Sequence, residues 1–131
     1  ASTQPPTSVE PVVELEQIDR ARALVDRVTL DDRIKDYIVT IVHASRHPGE
    51  FKLDLDRLIE FGASPRASIS LAIAAKANAL IQGRTFVTPA DVKSVGPDVL
   101  RHRVIASYEA QAEDIDSDQI VQRILDRIPI P

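Results

Sequence analysis

An arginine stands at the head of the most apolar run in this sequence, and its setting is the strongest chemical signal the chain carries. In Gly62-Ala63-Ser64-Pro65-Arg66-Ala67 the serine hydroxyl is placed to cap a helix, and the proline follows at the first helical position, where its missing N–H costs nothing. Arg66 then falls in the first turn, where the helix macrodipole is already positive and a cation is mildly unfavourable. Something anionic should compensate it. Free backbone N–H groups, the dipole and a guanidinium together make a half-site for a phosphate. A surface arginine paired with Asp54, Asp56 or Glu60 accounts for the same residues, and both readings stand on the residues alone.

The other candidates for chemistry are thinner. His43 and His47 have the one-turn spacing of a two-histidine metal site. A third ligand is lacking, because Pro48 and Gly49 end the helix before Glu50, so no metal is expected. Gly49, Gly62, Gly83 and Gly96 are not followed by lysine, which excludes a phosphate-cradling loop of the Walker type. Asp31 and Asp32 follow Val28, Thr29 and Leu30, but they sit at a helix start and read as caps rather than as metal-binding carboxylates on a strand. No glycine-flanked serine resembles a nucleophile elbow. The chain holds no self-sufficient active site.

The elements that must position Arg66 are helical. The segment 1–11, with Pro5, Pro6 and Pro11 among Ser, Thr and Gln, reads as a linker or tail, and 12–131 as one helical domain. Leu15, Ile18, Val25 and Val28 recur at helical spacing in a first helix from Glu14. Thr29 with Asp32 resembles a capping box, and Ile34, Tyr37, Ile38, Ile41, Val42 and Ser45 then share one face of a second helix that ends at His47. Leu53, Leu55, Leu58, Ile59 and Phe61 predict a short helix or turn closed by Gly62. From Pro65 to about Gln82 the pattern is apolar around most of its circumference, predicting a buried central helix with Gly83 at its C-cap.

Thr88, Pro89 and Asp91 repeat the start signal for a short helix that Gly96 and Pro97 interrupt; Val99 to Arg103 can resume it as one turn. Residues 85–87 and 103–105 are β-branched enough for a minimal two-stranded contact. A last helix begins at Asp116 or Ser117, carries Ile120, Val121, Ile124, Leu125 and Ile128, and stops at Pro129. The predicted class is an all-α helical bundle.

Composition agrees. A domain of 131 residues buries roughly 65–70% of the surface its unfolded chain exposes. Three Phe, two Tyr and no Trp make the core aliphatic. Sixteen basic against twenty acidic residues, net charge −4, argue against nucleic acid as the main partner. The lack of cysteine fits a reducing compartment, no apolar run is long enough to insert into a membrane, and a cytoplasmic location is expected. With no Met at position 1 and no complete active site, the chain is expected to be an expressed fragment.

Gly62-Ala63-Ser64-Pro65-Arg66-Ala67 resembles the sensor-2 motif of MoxR-family AAA+ ATPases. The resemblance extends over about residues 9–131. Pro11-Val12-Val13 through Val28 is similar to the family's entry into its C-terminal lid, and Asp36-Tyr37-Ile38-Val39 with Ala44-Ser45-Arg46 to the second lid helix, where the family often has Thr at position 45. Val87 to Lys93 and Val99 to Arg103 are similar to its later signature.

The resemblance implies a lid that folds against a separate α/β core, with ATP and Mg2+ bound in the parent protein, neighbouring subunits completing the pocket in a ring, and chaperone-like remodelling of client complexes. It makes Arg66 the sensor-2 arginine, a catalytic and cofactor-binding residue reaching the γ-phosphate on its own core. It makes Tyr37 and Ile41 candidates for packing near the adenine, although both also read as core residues. The Walker and sensor-1 elements are missing, so this chain by itself should neither hydrolyse ATP nor bind it tightly. The alternative is a free-standing acidic helical module that docks a partner protein through its first or last helix, with no nucleotide link.

Overall fold

The computed structural model describes residue 3 and residues 5–131. Two residues of the expected linker, Ala1 and Ser2, together with Gln4, lie outside the described residues, and residues 5–13 form no regular element. The chain order is α1 (Leu15–Asp26), α2 (Asp32–Arg46), a 3-10 turn (Pro48–Phe51), β1 (Ile59–Phe61), α3 (Arg66–Ile81), α4 (Pro89–Leu100), β2 (Ile105–Ala106), α5 (Tyr108–Ala112) and α6 (Ser117–Arg127). The all-α expectation with a minimal two-stranded contact holds.

The strand partners differ from those expected. β1 pairs antiparallel with β2, Ile59 opposite Ala106 and Phe61 opposite Ile105. The other segment predicted to pair, 85–87, instead meets Thr29 in an isolated parallel bridge, with Thr29 N–H donating to Thr85 O and Val87 N–H to Thr29 O. Thr29 is thereby committed to the bridge, and α2 is capped by Asp31, whose carboxylate accepts from Arg33 N–H at 2.8 Å. Thr29 therefore does not form the capping box that its spacing with Asp32 predicts.

α3 and α4 form the most extensive helix pair, and α2 and α6 close the bundle around them. The buried face of α3 is a narrow stripe, Ala67, Leu71, Ala75 and Ala79, at i, i+4 spacing. The small alanines let neighbouring helices approach closely. Ile69, Ile73 and Ile81 on the other side stay exposed, so α3 is central without being wholly buried. Gly83, at φ 79°, ends it in the left-handed conformation expected of a C-cap glycine, returning Arg84 N–H to the Ala79 carbonyl at 2.8 Å.

Gly96 and Pro97 do not interrupt α4, which runs through both. Val92, Gly96 and Leu100 form its buried stripe, and a Cβ on Gly96 would lie 3.0 Å from Leu125 of α6. Close helix packing outweighs the hydrogen bond that proline forfeits. The segment around Leu53 to Leu58 is turn rather than helix, followed by β1, while the short α5, capped by the Ser107 hydroxyl, has no counterpart in the sequence reading.

α6 follows the sequence closely. Asp116 accepts from Gln119 N–H at 2.9 Å and the Gln119 side chain accepts from Asp116 N–H at 2.9 Å, a complete capping box. Ile120, Val121, Ile124 and Leu125 are buried behind it. Asp116→Ala is expected to lower stability by about 1 kcal/mol, read as a lower urea midpoint with an unchanged slope.

Candidate functional site

The site is built where α2 ends and α3 begins. Ser45, fully buried in the last turn of α2, donates its hydroxyl hydrogen to Val42 O at 2.7 Å and accepts from Ala63 N–H at 3.0 Å. Arg46, next along, donates from Nη1 to Ala63 O at 3.3 Å. Gly62 lies so close to this turn that a Cβ there would overlap the Ser45 carbonyl and come within 2.7 Å of Arg46 Cα. Glycine is required at 62 because a backbone passes over it, a demand that spacing along the chain does not reveal.

From this clamp the chain enters α3 at Arg66. Pro65 occupies the boundary in helical conformation, and no side chain caps the helix. The Ser64 carbonyl, not its hydroxyl, takes Ala67 N–H at 2.8 Å, and Pro65 O takes Ser68 N–H at 3.1 Å. Two of the N–H groups expected to be free are therefore bonded within the turn. The first turn of α3 also contains no acidic residue, leaving the positive end of the dipole without a carboxylate of its own helix.

Arg66 is exposed and, among the described residues, forms no ion pair. The pairing with Asp54, Asp56 or Glu60 that the sequence allowed is not made. Arg103 donates to Val99 O at 2.6 Å and to Ser70 Oγ at 3.4 Å, and Ser70 lies one helical turn beyond Arg66 on the same face. Arg46, Arg66 and Arg103 thus ring the first half of α3, and none of the three has a carboxylate partner among the described residues. Ile69 and Ile73, 63% and 57% exposed, share the face that carries Arg66. The surface is cationic at its head and apolar below.

Tyr37 and Ile41 sit elsewhere. Val39, Val42, His43 and Arg46 line a shallow groove with Pro65 and Ser68, while Tyr37 borders a different groove with Arg33, Asp36, Thr40, Ile128 and Pro129. The structure does not bring Tyr37 or Ile41 to Arg66, because both belong to the inward face of α2. Ile41 has no exposed surface, and Tyr37 is buried with a hydroxyl that has no hydrogen-bond partner. Burial raises the Tyr37 phenol above its ordinary pKa.

The histidine pair has company after all. The 3-10 turn folds Glu50 back over α2, so that its Oε2 lies 2.8 Å from His43 Nε2, and the hydrogen bond holds the Glu50 carboxyl below its ordinary range. The His43 and His47 rings are 4.8 Å apart between centroids. Among the described residues no three His, Asp or Glu side chains converge as metal ligands. No described helix is long and apolar enough to cross a membrane.

The family described as the AAA lid domain matches residues 53–124. The chaperone MoxR1 of Mycobacterium tuberculosis is 42% identical over 97 residues, covering 73% of this chain and 26% of the relative. The protein MoxR of Methylorubrum extorquens is 31% identical, covering 92% and 37%. A crystal structure of a Cytophaga hutchinsonii protein classed as an ATPase superposes with TM-score 0.80 at 40% identity, over 83% of this chain and 33% of that one. The chain spans about a quarter to two-fifths of the length of these proteins.

Proposed function

Because this chain belongs to the AAA lid domain family, in its MoxR-type form, we propose that it couples the nucleotide state of an attached ATPase core to movement, with Arg66 as the arginine that senses the γ-phosphate. The observation that carries the proposal is Arg66 itself: exposed, without a carboxylate partner among the described residues, at the uncapped positive end of a 16-residue helix. A delocalised, permanently charged fork is suited to clamp phosphate oxygens and to stabilise charge developing in phosphoryl transfer.

ATP and Mg2+ would be held chiefly by the core, since among the described residues no carboxylate is paired with Arg46, Arg66 or Arg103 and no group of acidic or histidine side chains could hold a metal. Held there, the metal would supply electrostatic stabilisation of the charge that develops in phosphoryl transfer. This chain supplies a cation, and the apolar face of Ile69 and Ile73 a surface for docking. The two adenine candidates, Tyr37 and Ile41, are both buried on the inward face of α2 and would act on a bound base only through the packing of that helix. Neighbouring subunits of a ring would complete the pocket, and a chaperone-like remodelling role in the cytoplasm follows from the same reading.

The 131-residue chain is expected to bind ATP more weakly than micromolar in titration calorimetry. A half-site cannot recover the association and ordering costs. Sub-micromolar binding would contradict a lid that depends on its core.

One observation favours the alternative of a partner-docking module. α1 contributes no buried residue and exposes Leu15, Ile18 and Leu24. An interaction module of that kind would use α1 and leave Arg66 idle, so the turnover of an Arg66 variant separates the two.

A further inference from the structure

We propose that Ser45 is a positioning residue for Arg66: its hydroxyl fastens the loop that launches the arginine to the end of α2. The inference rests on the sensing role proposed for Arg66. A serine hydroxyl has one hydrogen to give and lone pairs to receive with. Ser45 gives the hydrogen to Val42 O at 2.7 Å and receives Ala63 N–H at 3.0 Å. The first bond is local to the helix; the second reaches 18 residues along the chain and serves no helix. Arg46 holds the other side of the same residue, through Ala63 O. Consecutive residues of α2 thus grip both polar groups of Ala63, while Gly62 lies flat against the Ser45 carbonyl with no room for a side chain.

Arg66 lies three residues beyond this grip, with only Ser64 and Pro65 between, and proline fixes φ in that short span. A shift of the Ala63 peptide therefore passes to the head of α3. Misplacement of a phosphate-contacting group by about 1 Å can cost on the order of a hundredfold in rate. Burying a hydroxyl is unfavourable unless its bonds are made, and alanine at 45 would avoid that while keeping the helix. The bond to Ala63 is what the hydroxyl adds.

The test uses the full-length ATPase and steady-state ATP turnover of Ser45→Ala, Ser45→Thr, Arg66→Ala and the double variant S45A/R66A. Ser45→Ala is expected to lower kcat about tenfold with KM for ATP within about twofold. Ser45→Thr, whose hydroxyl can also bond back to the i−3 carbonyl, should restore wild-type turnover. The double variant should be no slower than Arg66→Ala alone, because Ser45 acts through that arginine.

Two results overturn the assignment: wild-type turnover in Ser45→Ala while Arg66→Ala is impaired, or losses that multiply in the double variant, which would make Ser45 a stability residue. If Arg66→Ala itself turns over normally, the sensing role fails and the positioning role falls with it. Should Ser45→Ala not fold, Ser45→Cys, close in volume and a weak hydrogen-bonding group, carries the same comparison.

Discussion

Arg66→Ala in the full-length ATPase is expected to lower ATP turnover by on the order of a hundredfold, the usual loss when one preorganised donor to developing charge is removed. Fold and ring assembly should be untouched. Arg66 is exposed, bonded to no carboxylate among the described residues, and outside the hydrophobic core, so the stability of this domain should change by no more than about 0.5 kcal/mol. Arg66→Lys should recover only part of the rate, because an ammonium keeps the charge but not the planar fork that grips two oxygens. The checks are steady-state hydrolysis beside a thermal melt and a sizing measurement. Normal turnover in an assembled Arg66→Ala ring would remove the residue from the mechanism and leave the partner-docking reading.

The largest expected effect on stability lies at Asp91→Ala, about 3 kcal/mol, which for a domain of this size is roughly 10 °C in Tm. Asp91 is 1% exposed. Its carboxylate accepts from Arg84 through Nη2 at 2.5 Å and Nη1 at 2.6 Å, from Asn78 Nδ2 at 2.8 Å, and from Thr88 through N–H at 2.7 Å and Oγ1 at 3.0 Å. One carboxylate thereby ties the C-terminal half of α3, the turn after it and the start of α4. Removing it leaves the Arg84 guanidinium, 29% exposed, and several partly buried donors without a partner, which costs more than the bonds themselves contribute.

The same group makes stability depend on pH. The Arg84 hydrogen bonds, with those from Thr88 and Asn78, hold the Asp91 carboxyl well below the usual carboxylate range, against the opposing effect of burial. A depressed folded-state pKa means that the unfolded chain takes up its proton first. The Asp91 contribution is therefore fully present above about pH 5 and is lost progressively as the pH falls below it. Urea midpoints of wild type and Asp91→Asn should converge on acidification and stay apart near neutrality. A gap independent of pH would show that the contribution is not ionic.

Much of the local structure was legible because its causes are local. Asp116 with Gln119, and Thr88 with Asp91, announce helix starts through bonds spanning three residues, and both boxes form as written. The faces of α2 and α6 follow from apolar spacing alone. The failures share a different cause. Thr29 looks like a cap and becomes a bridge because Thr85 and Val87, far along the chain, offer it backbone partners. Pro97 looks like a stop, yet α4 continues because Gly96 lets Leu125 close on the helix. Glu50 looks cut off from His43, but the 3-10 turn folds it back.

For the site the division falls in the same place. The sequence by itself determined that Arg66 heads an apolar helix, that the chain carries no phosphate loop of its own, and that the bundle is helical with an aliphatic core. Those are matters of residue type and spacing. Only the tertiary structure decided that Arg66 meets no carboxylate among the described residues, that Tyr37 and Ile41 are buried in the core, that Gly62 must be bare, and that Ser45 and Arg46 grip Ala63. The reason is physical: a cap or a helical stripe is closed by neighbours in sequence, whereas an ion pair, a close backbone approach or a shared groove depends on segments whose meeting the whole packed core decides.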